Sequence, residues 1–335
     1  MIPPLVSLEE HFFSAAMLAS PTAAQYGEQF KHIPGLREKL SDVGALRLSS
    51  MDANNISLQI VSHAPGSLSA GECRAANEQL SHAIAQHPDR FAGFAVLPVS
   101  SPASCAAELR RCVEELGFVG ALIDNHSSTG AYYDGAEYLP LFETAQALDV
   151  PIYLHPTWPT EPMLISLYTG NFPLSATQSI SASAFGWHSD VATHILRLFA
   201  AGLFDTLPKL KLIVGHMGEM LPFMLARINQ LSVRWAPGQR SFQQVYDENL
   251  WITTSGNWSV DPMACILRNT KIEHVLFSVD YPFARNEDGV RLMQELEESE
   301  LVDEKGLELI AHGNAEALLR VKMRGGRNEG GDRGS

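Results

Sequence analysis

Short runs of Val, Ile, Leu and Phe alternate along the chain with longer stretches in which apolar residues return every three or four positions. The first pattern is that of strands and the second that of amphipathic helices, so their alternation predicts parallel strands joined by crossover helices. Eight strands are predicted, at residues 6–9, 58–63, 91–97, 119–124, 152–155, 212–216, 250–254 and 275–280, most of them too apolar to leave either face in water. Helical period is clearest at 73–86, 103–116, 139–147 and 191–201. Eight such units close a (β/α)8 TIM-like barrel, and the Gly-rich phosphate turn expected after the first strand of a doubly wound sheet is missing. Two polar, Pro-containing inserts, 12–49 after the first strand and 156–189 after the fifth, would overhang the face on which the strands end. The tail 323–335 has no apolar period and is expected to be disordered, which leaves 1–322 as a single domain.

Composition narrows the class. Apolar residues at 45% and charged residues at 19% suit a soluble globular protein with a sizeable core. A net charge of −14 without any dense basic run argues against nucleic acid as a partner. The four cysteines form no CxxC pair, so reduced thiols in a cytoplasmic setting fit better than a disulfide framework or a thiolate metal site. No stretch approaches the length of a membrane span, and the N-terminus lacks the basic segment of a secretory leader.

The candidate chemistry is positional. Glu9, His63, Asp124, His155, His216 and Asp280 each stand at the last residue of a predicted strand, and in a barrel those ends all open on one face. Glu9 and His11 lie two apart, so a strand's period points both side chains the same way and both can reach one ion. A carboxylate with imidazoles suits Zn, Mn, Mg or Fe and leaves positions open for substrate. His155 ends VPIYLHP, where Pro156 stops the strand; its plain reading is a hydrogen-bonded core histidine. Asp280 ends the apolar run VLFSVD and reads as a metal ligand or general acid/base, the alternatives being a helix cap or an ion pair. In LIVGHMGE, Glu219 is spaced to orient His216, or simply to favour the next helix N-terminus. His63 and Arg227 are candidates for contacts with an anionic substrate, and His188, beside Trp187, for the pocket wall.

These motifs carry a resemblance. LEEHF, RCVEELGFVGALI, VPIYLHP, GLFDTLPKLKLIVGHMGE, WITTSGN and VLFSVDYPF occur in the order and at the spacing of the amidohydrolase-2 branch of metal-dependent barrels. Within that branch the chain resembles the non-oxidative aromatic acid decarboxylases of the γ-resorcylate, salicylate and 2,3-dihydroxybenzoate type. The resemblance implies one divalent metal ion (Mn, Mg or Zn) on Glu9, His11, His155 and Asp280, with His216 close by and Glu219 behind it. It also implies a small aromatic carboxylic acid as substrate, decarboxylated to the phenol and CO2, and a homodimer or homotetramer. Gln230 stands where relatives carry a histidine, Thr157 and His63 also differ from the resorcylate enzyme, and the presence of His11 leans toward the resorcylate type.

In the implied reaction Asp280 delivers a proton to the ring carbon that bears the carboxylate, His216 assists at the phenol, and Trp158, Trp187, Tyr281 and Phe283 are candidates to sandwich the ring. The same barrel and ligands would also serve a metal-dependent hydrolase or hydratase acting on a lactone or an unsaturated acid.

Overall fold

All eight predicted strands form, and every pairing between them is parallel. The computed structural model describes residues 2–235, 238 and 240–323. Strands β1 (Leu5–Phe12), β2 (Ile56–His63) and β3 (Phe91–Gly93) pair in that order. A second run, β4 (Ala121–Asp124), β5 (Ile152–His155), β6 (Leu212–Val214), β7 (Leu250–Thr253) and β8 (Val275–Leu276), does the same. A parallel bridge from Ala95 to Ala121 joins β3 to β4. At the remaining seam the described residues form no β8–β1 ladder; individual hydrogen bonds span it instead, including His11 N to Tyr281 O at 2.6 Å and Glu9 N to Ser278 Oγ at 2.7 Å. The cyclic order β1 to β8 is that of the expected (β/α)8 barrel.

Helices form where the period predicted them, at Ala70–Gln86, Pro102–Glu114, Leu139–Leu148 and Gly186–Ala200. They pack on the outside of the strands through Leu80, Leu109, Phe142, Ile195 and their neighbours, while Val6, Leu8, Ile60, Phe94, Leu122, Tyr153 and Ile213 form a separate cluster. The strand alternation explains this sorting, since successive side chains face opposite sides.

β1 departs from simple alternation in a way that matters. Val6 and Leu8 belong to the second cluster, yet Phe12, also even-numbered, lies with Leu5 in the outer one. A register irregularity between Ser7 and Glu10 makes the switch and turns Glu9 and His11 inward. It also lets β1 run on to Phe12, so Glu9 is not the strand's last residue. Conversely, the ladders of β3, β6 and β8 stop short of the apolar runs that predicted them; Phe277 and Val279 are buried without being in a ladder.

The two inserts, for which the sequence pattern predicted no element, are largely helical. The first folds into Ala15–Ala19, Pro21–Tyr26, Gly27–His32, Leu36–Ser41 and Ala45–Ala53, the second into Glu161–Leu167 and Leu174–Ser181. Phe13, Met17, Tyr26, Leu36 and Leu40 of the first make a core of their own with Ala64, Leu68 and Cys73. Of the tail expected to be disordered, Met323 is partly buried and its N–H donates to Glu316 at 3.0 Å; the rest lies outside the described residues.

Candidate active site

Glu9, His11, His155 and Asp280 converge, with one donor atom from each lying within 4.8 Å of the others. His155 Nε2 is 3.0 Å from Glu9 Oε1 and His11 Nε2 is 3.2 Å from Asp280 Oδ1. The opposite nitrogens are tied back, His155 Nδ1–H donating to Pro156 O at 2.7 Å and His11 Nδ1 bonding Ser62 Oγ at 3.3 Å. Such tethers fix the tautomer and turn the Nε2 lone pair toward the centre. Glu9 Oε1 and His11 Nε2 are nonetheless buried without a hydrogen-bond partner. Buried polar atoms are rarely left so. Two nitrogens and two carboxylates at this spacing fit one divalent ion.

Glu9's other oxygen is fully engaged. Oε2 accepts from Tyr153 OH, from Ser255 Oγ at 2.5 Å and from Thr253 Oγ1 at 3.4 Å. Gly215 leaves the room for this cradle, since a Cβ there would sit 2.9 Å from both Glu9 Oε2 and Tyr153 OH. Sequence reasoning missed these hydroxyls. The signal was strand parity: Tyr153 precedes His155 by two on β5, and Thr253 and Ser255 are likewise two apart at the end of β7.

A second group adjoins the first. The buried Glu219 carboxylate bonds His216 Nδ1 and His188 Nδ1, each at 2.7 Å, while His216 Nε2 lies 3.6 Å from Glu9 Oε1. The chain achieves this with an unusual backbone: His216, Met217, Gly218, Glu219 and Met220 all have positive φ, from 48° to 83°. Only Gly takes that conformation without steric cost, and such strain collects at functional sites. Gly256, also at positive φ, passes close over His216, where a Cβ would approach Cδ2 to 2.7 Å.

The charges interlock. Burial works against ionisation of Glu9, but His216, His155 and His11 hold its carboxyl below the usual range. Against burial, His216 and His188 hold Glu219 down to about 2, and Glu219 with Glu9 raises His216 to about 10. Desolvation and then the Glu9 charge push Asp280 up to about 8, against the pull of His216, His155 and His188.

Above these residues lies a cavity of about 280 Å³, reached by His155, His216, His188 and Asp280 and walled by Tyr26, Trp158, Trp187, Trp258 and Phe283. Among the described residues neither Lys nor Arg lines it. Trp187 Nε1 and Gln29 Oε1 are buried there without partners. Gln29 was not foreseen; it sits on Gly27–His32 within an insert read as a polar overhang.

Two expected substrate contacts lie elsewhere. His63 is buried beneath Phe12 and Phe13, its Nε2 3.0 Å from Ser14 Oγ and its Nδ1–H on Ala64 O, and burial lowers it to about 4. Arg227 is exposed on Leu221–Ser232 because the apolar stripe of that helix, Leu221, Leu225 and Ile228, faces the core. Asp124 accepts from Gly66 N at 3.0 Å and is outside the four-residue group. Tyr281 does not line the cavity; its ring lies under the Arg47 guanidinium at 4.9 Å. Trp187, His188, Trp158 and Phe283 line it as expected.

Comparison with known proteins gives the same outline. The profile of the family described as Amidohydrolase matches residues 23–321. The chain is 52% identical to Decarboxylase orsB of Emericella nidulans, over 97% of this chain and 99% of that one. It is 37% identical to Gamma-resorcylate decarboxylase of Polaromonas sp., over 94% and 98% respectively. Among solved structures, a dihydroxybenzoic acid decarboxylase of Polaromonas sp. with bound manganese and 2-nitroresorcinol superposes with a TM-score of 0.82 at 33% identity, covering 95% of this chain and 97% of that one.

Proposed function

The chain belongs to the amidohydrolase family, and from that premise we propose that it is a metal-dependent carboxy-lyase removing CO2 from an ortho-hydroxybenzoic acid without oxidation. The observation that carries this reading is the joining of an N/O ligand set to an aromatic-walled cavity that, among the described residues, no Lys or Arg lines. A planar aryl acid fits such walls. Its carboxylate would find positive charge only at the cavity floor.

Glu9, His11, His155 and Asp280 would hold the ion. A divalent ion there supplies Lewis-acid charge for the carboxylate and the adjacent phenol oxygen. The chain's own groups do the rest. His216, fixed through Nδ1 by Glu219, presents Nε2 to the phenol side of the ring. Asp280 gives its proton to the ring carbon bearing the carboxylate, which interrupts the aromatic system. The carbon–carboxylate bond then breaks, its electron pair restores the ring, CO2 leaves, and Asp280 regains a proton from solvent. Trp158, Trp187 and Phe283 keep the ring in plane, and Trp187 Nε1 and Gln29 offer hydrogen bonds to ring substituents.

The test is CO2 release from 2,6-dihydroxybenzoate, salicylate, 2,3-dihydroxybenzoate and orsellinate, before and after chelation. Turnover that ends on chelation and returns with Mn supports the reading; a protein holding stoichiometric metal yet inert on every acid refutes it.

Residues 1–322 act as one barrel unit in this reading, and the enzyme is cytoplasmic, in keeping with four free cysteines. Assembly as a homodimer or homotetramer is supported by exposed apolar side chains such as Phe223 (79% exposed), Leu174 (68%), Phe185 and Met220, the first and last two lining one groove beside His188 and His216. A monomer in sedimentation would refute it. Among the described residues no helix is long and apolar enough to cross a membrane.

A further inference from the structure

Between Glu9 and His11, which turn inward, Glu10 turns to the opposite face of β1 and is fully buried. Its Oε1 accepts from Val279 N at 3.1 Å and its Oε2 from Tyr281 N at 2.9 Å. These are the peptide N–H groups on either side of Asp280. A strand ladder would satisfy them with carbonyls, but a ladder also demands extended φ of about −120° along the strand. Asp280 has φ +71° instead, a left-handed conformation that L-residues rarely hold. The Glu10 side chain thus takes the ladder's place at the β8–β1 seam while leaving Asp280 free to turn.

Arg47 adds a second hold from Ala45–Ala53. It is buried, its Nη2 donates to His11 O at 2.5 Å and its Nε to Asp42 O at 3.2 Å, and its guanidinium covers the Tyr281 ring. The Asp42 carboxylate anchors the start of that helix by accepting from Arg47 N at 2.9 Å. His11 N in turn donates to Tyr281 O, so one connected group spans a ligand on β1 and the residue after Asp280.

We infer that Glu10 and Arg47 are positioning residues for Asp280, clamping the backbone on both sides of it so that its carboxyl points at the reacting ring carbon. This rests on the reading of Asp280 as proton donor.

Glu10→Gln keeps the shape but sets an amide donor against one of the two N–H groups, releasing one arm. Misplacing a reacting group by about 1 Å is worth up to roughly 10²-fold in rate. In folded E10Q that still takes up Mn stoichiometrically, kcat at saturating metal falls about 10- to 100-fold while KM moves less than about threefold, because the ring's binding walls are untouched. Wild-type kcat in folded, metal-loaded E10Q overturns the inference, as does a loss of kcat that only tracks lost metal. If E10Q does not fold, Arg47→Lys decides: it retains the charge but loses the planar group over Tyr281, and the same kcat-against-KM split supports the clamp whereas unchanged kcat refutes it. Asp280→Asn separates the two levels. An active D280N removes the underlying reading, while an inactive D280N beside fully active E10Q and R47K removes the clamp alone.

Discussion

At Glu9 the two carboxylate oxygens do different work. Oε2 is held by three hydroxyls and Oε1 is left without a partner, so in the proposed site the orientation of a ligand is set by residues that would touch no metal. Tyr153→Phe leaves that buried charge short of a donor, and loss of such outer partners typically weakens metal binding about 10- to 100-fold. Titrating the apo-protein with Mn should show that drop; unchanged affinity would mean Ser255 and Thr253 suffice. His63, by contrast, bears on stability. It is neutral when folded, its ring lowered by burial from 6.5 to about 4, and it would protonate in the unfolded chain first. Its contribution is therefore full above pH 6.5, erodes as pH falls below that value, and is lost below about 4. His63→Asn should flatten the decline in urea midpoint between pH 7 and pH 5; an identical slope in both proteins would contradict the assignment. Single residues were legible in the sequence when a strand end displayed them, as with His155. Those whose placement depends on what packs over them, as with His63, or on which way their helix faces, as with Arg227, were not.

At the scale of elements, the turn after β6 concentrates strain where the chemistry is. Five consecutive residues with positive φ carry His216 and Glu219 into place, and Gly218 is the member without a Cβ. An alanine there would meet Pro222 at 2.7 Å at a φ of +83°. Gly218→Ala should therefore destabilise the fold by about 1–3 kcal/mol and lower kcat through a displaced His216, read by thermal unfolding alongside turnover. Retention of both would show that the turn tolerates a side chain. The existence of each strand was plain from its apolar run, because burial on both faces leaves a compositional mark. Its end was not. The irregularity between Ser7 and Glu10 that turns Glu9 inward has no such mark, and neither does the substitution of Glu10 for a ladder at the seam. The helices of the inserts were not legible because they are short, and short helices gain their stability from packing rather than from pattern.

For the whole molecule, a barrel explains how the proposed ligands Glu9 and Asp280, 271 positions apart in the chain, meet at one point. Folding thereby builds the proposed metal site, and metal bound there would in turn stabilise the fold. An ion held at about 100 times its Kd contributes roughly 2.7 kcal/mol by mass action, so chelation should lower Tm and Mn should restore it. A Tm indifferent to both would argue that the four residues bind no ion. The barrel and the four-residue centre were readable because both rest on strand order and strand ends. The cavity walls were only partly so, since Gln29 and Tyr26 come from an insert whose fold the pattern did not reveal. The central claim is that a proton replaces the carboxylate on the ring. Its most direct test is the product formed in D2O by the Mn-loaded enzyme from an ortho-hydroxybenzoate. CO2 together with a phenol carrying deuterium at the carbon that bore the carboxylate, formed only with metal present and not by Asp280→Asn, is the result expected; substrate consumed without CO2, with solvent oxygen in the product, would contradict it.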